Sequence, residues 1–264
     1  MRSFRHAAPA ALAASTLFLL TTGCGNTDDT DAAGSGGDGP VVVASTTWVG
    51  ALAKAAGATD ITLIAPANIQ HPPDYDPKPS DLAALAGADY VLYSPFDGFV
   101  SRLEEAAGSD AELVKVEPEN TPGRIRAEVT RLGELLGTEA AAESWLAEFE
   151  TEYDELTGEL RDSGLSGMTT VAQVYVAYWA EFAGAPVAGT YGPEPVTPDQ
   201  LAELSDLEPR LQLANGHLPG ANPEIEGVER IDIVNYPGED LDLLSVFRTN
   251  AEHLTAAGER AAVA

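Results

Sequence analysis

The 264 residues contain a single cysteine, Cys24, two methionines, and only 14 lysines and arginines against 42 acidic side chains. One cysteine cannot form an intramolecular disulfide, so the fold is not stapled covalently. So few cations exclude nucleic-acid binding, because little is at hand to neutralise phosphates. The chain has no Gly-x-Ser-x-Gly elbow and no His-Glu-x-x-His helix, and it has no thiol nucleophile beyond Cys24. Paired acids for glycoside chemistry stay open in so acidic a sequence, which keeps a secreted acid/base hydrolase as an alternative of another class. The formal net charge of −28 attracts cations and disfavours anionic lipid. Solubility explains the bulk of that charge, and charge alone does not define a metal protein.

The N-terminus carries an export signal over residues 1–23. Arg2 and Arg5 precede the apolar run Ala7 to Leu20, and Thr21-Thr22-Gly23 lead to Cys24. A run this short does not span a bilayer as a mature helix. The pattern is similar to a bacterial lipoprotein signal, which implies that Cys24 becomes the lipidated N-terminus. Thr21 stands at a position where leucine is commoner, and a cleaved secretory signal with an incidental cysteine is the alternative. A stable anchor takes more than one acyl chain. Residues 24–40 then read as the lipidated cysteine and a flexible acidic tether, since nothing large and apolar lies between Gly25 and Pro40.

From Val41 the chain alternates short apolar runs with helical patterns. Strands are expected at Val41 to Ala44, Ile61 to Ala65, Tyr90 to Tyr93 and Glu112 to Val116. Helices fall between them, at Thr47 to Ala56, Asp81 to Ala88 and Phe99 to Ala107. This spacing predicts a parallel sheet flanked by helices. From Arg124 to Arg161 the pattern is helical, broken near Gly137-Thr138. There Trp145, Phe149, Tyr153, Leu156 and Leu160 form one apolar stripe, as expected of a helix that joins two lobes. Strands resume at Thr170 to Tyr175, Pro186 to Ala188, Arg210 to Ala214 and Ile231 to Asn235, before a terminal helix from Leu241 to Ala262. Thr197 and Pro198 open another helix as N-cap and first residue. The expected fold class is α/β, with two lobes of parallel sheet joined by a long rigid helix. Residues 41–120 form the N-terminal lobe, 121–166 the linking helices and 167–264 the C-terminal lobe.

Open parallel sheets bind ligands at the carboxyl ends of their strands. Four features meet that rule. The proline-stiffened loop Gln70 to Asp81 follows the second strand and carries His71, Asp74 and Asp76, with Ser80 or Asp81 capping the next helix. Gln173 lies within the first strand of the second lobe, His217 follows Arg210 to Ala214, and Glu239-Asp240 follow Ile231 to Asn235. A loop histidine bonded to a nearby aspartate would explain either imidazole alone; two at strand ends in opposite lobes point to a shared site. Two neutral imidazoles with one or two carboxylates suit Zn²⁺, and a more oxygen-rich set suits Mn²⁺. His253, beside Glu252, reads as a solvated residue.

Three segments, Val41 to Thr46, Pro77-Lys78-Pro79-Ser80-Asp81 and Leu82 to Val91, carry a resemblance, as does Tyr178 to Gly184. They resemble the zinc/manganese-type substrate-binding lipoproteins of bacterial ABC importers. The resemblance implies a monomeric, non-enzymatic extracytoplasmic protein, anchored to the cell membrane, that clamps a divalent metal ion between its lobes and delivers it to a permease. Its metal set would be His71, Gln173, His217 and Glu239, with Asp240 an alternative to Glu239. The match has departures. Pro73 occupies the position of the family's first histidine, with His71 two residues early. Gln173 stands where the family has its second histidine, His217 corresponds to the third ligand, and the fourth, an aspartate, has no clear counterpart near Asn235 to Gly238. A binder of a metal chelate or of a small organic solute is therefore the second reading.

Overall fold

The computed structural model describes residues 39–108 and 111–263. The expected export signal, Cys24 and most of the expected tether lie outside the described residues. Two four-stranded parallel sheets form the body. In the first, β1 (Val41–Ala44) and β3 (Tyr90–Tyr93) are central, with β2 (Asp60–Leu63) and β4 (Glu112–Lys115) at the edges, in the order β2-β1-β3-β4. The second has the same plan: β6 (Val187–Tyr191), β5 (Thr170–Gln173), β7 (Leu211–Asn215) and β8 (Glu229–Ile233), in the order β6-β5-β7-β8. Val42, Val43, Ala44, Val171, Ala172 and Leu213 are almost wholly buried, as expected of central strands covered on both faces.

Helix α1 (Thr47–Ala55) buries every residue except Lys54, and the Thr46 hydroxyl accepts from the Val49 amide at its start. The helix expected from Asp81 is shorter than predicted and begins earlier. It is a single α-helical turn, α2 (Pro79–Leu82), continued by a 3₁₀ turn over Ala83–Leu85. Neither Ser80 nor Asp81 is its N-cap; Asp81 reaches back from the third position, its carboxylate accepting from the Lys78 amide at 2.8 Å. After α3 (Val100–Ala106), α4 (Pro122–Leu136) ends at Gly137, whose φ of +69° is the left-handed stop. The long helix α5 (Glu139–Asp162) then joins the lobes. Its predicted stripe faces inward: Phe149 and Leu160 are fully buried, and Phe149 packs on Trp145 and Phe247 with ring centroids 5.4 and 5.3 Å apart.

In the second lobe, α6 (Trp179–Phe182) is short. Helix α7 (Pro198–Asp206) carries the predicted threonine cap, completed by Gln200 as a reciprocal capping box. The terminal helix α8 (Leu243–Val263) returns to pack against α5 and β8. One continuous apolar cluster runs from Val42 and Leu52 through Leu132 and Phe149 to Leu213 and Phe247, so both sheets share a core in the helical layer. Smaller clusters cover the outer face of each sheet, around Val91 and Leu103 in the first and around Val171 and Leu204 in the second. Among the described residues no helix is long and apolar enough to cross a membrane.

Candidate functional site

Each sheet reverses its winding between its two central strands, and the crevice outside such a switch point is where open α/β sheets bind ligands. In the first lobe the switch lies between β1 and β3, and in the second between β5 and β7. The loops leaving β2, β6 and β7 bound an open cleft of about 480 Å³, lined by Gln70, His71 and Asp74 from one lobe and by Pro193, Pro195 and His217 from the other. His71 and His217, expected to face one site, do line the same cleft.

The His71 loop is built from rigid parts. A 3₁₀ turn over Pro72–Asp74 follows His71 directly, and the Gly98 amide braces the loop by donating to the Pro73 carbonyl at 2.9 Å. The Tyr75 hydroxyl donates to Asp81 at 2.7 Å. That bond, with the Lys78 amide, holds the Asp81 carboxyl below its usual range. His71 Nδ1 approaches the Asp74 carboxylate at 2.9 Å but lacks the alignment of a hydrogen bond, so this buried nitrogen has no hydrogen-bond partner. The pair is an electrostatic contact with an exposed carboxylate. Asp76 points elsewhere and pairs with Arg102.

His217 differs from expectation. Its Nε2 accepts from the Asn235 amide at 3.1 Å and, more weakly, from the Tyr236 amide at 3.4 Å. The proton therefore sits on Nδ1, which donates to the Gln70 carbonyl at 3.0 Å, across the cleft. Both ring nitrogens are engaged, and no lone pair is left for a metal. Burial pushes the imidazole's pKa down, the Gln70 carbonyl opposes this, and the nearby His71 adds to it. His217 is a neutral bridge between lobes, stacked edge-on against Tyr236.

The other two expected ligands, Gln173 and Glu239, lie elsewhere. Gln173 is fully buried and its carbonyl oxygen accepts from the Tyr175 amide at 2.7 Å and from Asn215 at 3.5 Å, so the atom able to bind a metal is engaged. Its amide nitrogen is buried without a partner. Glu239 is exposed and does not line the cleft, because the chain beyond Tyr236 turns outward to α1, where Lys54 donates to the Asp240 carbonyl. His253, as expected, is exposed on α8, with Nδ1 against the Asp232 carbonyl.

The structure adds groups that sequence reasoning missed. Asn235 joins the lobes from the end of β8. Its side-chain oxygen accepts from Tyr178 Oη at 2.8 Å and Trp179 Nε1 at 2.9 Å, and its carbonyl accepts from Asn120, which in turn accepts from Trp48 Nε1. At the first switch point Asp97 is buried, and one of its oxygens accepts from the Ser94 amide at 2.9 Å. Desolvation pushes its pKa up, partly offset by Ser45 and the Ser94 amide. Ser45 lies near enough to favour the charged form, yet neither Ser45 Oγ nor Asp97 Oδ1 completes a hydrogen bond. Asp97 was findable, since Ser94 to Gly98 directly follows a predicted strand.

Two matched parallel sheets, a long joining helix and a cleft at their strand ends define a two-lobed binding fold. Residues 42–134, the first lobe and most of α4, match the family model described as zinc-uptake complex component A, periplasmic (ZnuA). The whole body is similar to a solved structure of ZnuA (TM-score 0.64, 17% identity, 84% of this chain and 100% of that one). It is also similar to the laminin-binding protein Lmb of Streptococcus agalactiae, described as bifunctional with adhesin and metal transporting activity (TM-score 0.63, 20% identity, 83% of this chain and 100% of that one). A third is the Mn-bound periplasmic metal-binding protein from Candidatus Liberibacter asiaticus (TM-score 0.57, 14% identity, 83% of this chain and 99% of that one). The resemblance read from the Pro77 to Asp81 loop thus holds in the family model for the first lobe, and in the fold for the whole body.

Proposed function

We propose that this protein is the extracytoplasmic solute-binding component of a bacterial ABC importer, and that it carries a divalent metal ion, Zn²⁺ foremost and Mn²⁺ second, to a membrane permease. The observation that carries the reading is His71 with Asp74, set on a braced loop at a strand end. They face the cleft of a fold shared with ZnuA and with a Mn-bound periplasmic protein. His71 supplies the imidazole, Asp74 the adjacent carboxylate, and His217 holds the opposite wall in place. The acidic surface raises the local concentration of cations. Lipidation at Cys24 would keep the body at the membrane, beside its permease. The reading assigns no catalysis.

Elemental analysis of the full chain, purified untagged from its native membrane without added metal, tests this. About one zinc or manganese per chain is expected, lost in His71→Ala and kept in His253→Ala. A metal-free wild-type protein sinks the reading.

A further inference from the structure

In the first lobe the turn Ser94 to Gly98 follows β3 and folds upon itself. The Ser94 amide donates to Asp97 Oδ2 at 2.9 Å, the Asp97 amide to the Ser94 carbonyl at 3.1 Å and the Phe96 amide to Ser94 Oγ at 3.2 Å. Asp97 is only 4% exposed, and its Oδ1 has no hydrogen-bond partner. The groups that favour its charge, Ser45 and the Ser94 amide, include no cation. A buried carboxylate oxygen left in that state is costly and calls for a donor.

Tyr236 brings one from the second lobe. It follows β8, and its ring stands edge-on against Trp48 of α1, with centroids 5.2 Å apart, and against His217, at 4.7 Å. Trp48 is three residues from Ser45, the neighbour of Asp97, so the phenol is held at the same strand ends. Its hydroxyl makes no hydrogen bond among the described residues. Burial, then the charges of Asp97 and Asp74, push its pKa up, so it stays protonated. One lobe thus holds an acceptor without a donor, and the other holds a donor without an acceptor.

The turn that carries Asp97 is also tied to the loop that carries His71. The Gly98 amide donates to the Pro73 carbonyl at 2.9 Å, and Pro73 lies in the 3₁₀ turn Pro72–Asp74. Drawing His71 and Asp74 onto a cation therefore moves Pro73 and, through Gly98, Asp97. Phe96 is 67% exposed, so the outer side of the turn has little packing to hold it back.

We infer that a metal ion held by His71 and Asp74 draws the Ser94 to Gly98 turn onto Tyr236, whose hydroxyl then donates to Asp97 Oδ1 and locks the rim. Asp97 and Tyr236 are positioning residues, and neither touches the metal. This rests on the metal-carrier reading, and the two fail separately.

The test is the release of zinc from the untagged full chain into excess EDTA, followed by stopped flow, beside the melting midpoint of the metal-free protein. Tyr236→Phe removes only the hydroxyl. It should speed zinc release about tenfold or more, as expected for the loss of a bond to a charged acceptor. Zinc association and the metal-free midpoint should not change, because the bond is not made without cargo. In Asp97→Asn the amide oxygen is kept by the Ser94 donor and the nitrogen faces Tyr236, so adding Tyr236→Phe there should alter release by less than about twofold. A full effect in that background overturns the pairing. Equal release from wild type and Tyr236→Phe shows that Ser45 alone serves Asp97, and the inference falls while the carrier reading stands. A metal-free midpoint lowered by Tyr236→Phe means that the bond exists without cargo, which overturns the inference as well. A wild-type chain that takes up no zinc removes the carrier reading and the lock together.

Discussion

Replacing His217 with alanine tests the bridge between the lobes most directly. The substitution removes the Nδ1–H bond to the Gln70 carbonyl and leaves the Asn235 amide without its acceptor. Each such bond contributes about 0.5–1.5 kcal/mol net, and the edge-on contact with Tyr236 adds about 0.5–1.5 kcal/mol. Together they give a loss of about 1.5–4.5 kcal/mol at pH 7.5. At about 2–4 °C per kcal/mol for a body of this size, the midpoint should fall by roughly 3–18 °C in calorimetry. The pH dependence is the sharper arm. His217 has a lowered pKa in the fold, so the folded state binds fewer protons there than the unfolded chain. Its contribution is complete above the unfolded value of about 6.5. It declines as pH falls below that, and levels off below the folded pKa. Carboxylates common to both proteins cancel in the difference, so the gap between wild type and His217→Ala should narrow from pH 7.5 to pH 5. A midpoint change under about 2 °C, or a gap that stays constant with pH, would show that His217 is not a neutral bridge.

Phe149→Ala should cost about 3–5 kcal/mol in denaturant titration, since the ring is fully buried among Trp145, Tyr153 and Phe247; a loss below 1 kcal/mol would refute that packing. Gly258→Ala should destabilise by about 1–3 kcal/mol or prevent folding, because a Cβ there would lie 2.2 Å from the Ser163 carbonyl oxygen; a variant as stable as wild type removes that contact. Asn235→Leu strands the Tyr178 hydroxyl and Trp179 indole donors at about 1–3 kcal/mol each, which equilibrium unfolding will detect; an unchanged midpoint argues against the network. Cys24→Ala should release the protein from membranes or stall its processing, and unchanged membrane fractionation counts against the anchor.

The fold was legible where apolar runs are short and sharply bounded. Val41 to Ala44 and Tyr90 to Tyr93 match strands residue for residue, because buried parallel strands are written as unbroken β-branched and aliphatic runs. The break at Gly137-Thr138 was equally plain, since a left-handed stop needs glycine. The helix after the His71 loop was over-long as read: Pro79 starts it, but Ala83 to Leu85 tighten into a 3₁₀ turn. The site was legible only in part. His71 and His217 were found because imidazoles are rare here, and both reach the cleft. What His217 does there depends on the Gln70 carbonyl, about 150 residues away in sequence, and a backbone acceptor has no signature in a sequence. Asn120 and Asn235 were missed for a related reason. Neutral amides after a strand read as turn formers, and only the assembled lobes show Trp48, Tyr178 and Trp179 converging on them.

The shared helical core bears on how cargo leaves. A clamshell that opens by swinging its halves apart needs a thin crossing, where few contacts must part. Here the crossing is broad: α1, α4, α5 and α8 contribute to one dry interior that serves both sheets at once. Swinging the halves would tear apolar surface into water at about 25 cal/mol per Å², against a total stability of only about 5–15 kcal/mol. The frame must therefore stay put, and any opening falls to the bonds across the rim. Across the opening the lobes are tied by the Gln70 side chain, which donates to the Gly216 carbonyl, and by His217, which donates to the Gln70 carbonyl. Loosening those two bonds would part the mouth of the cleft without disturbing the apolar body.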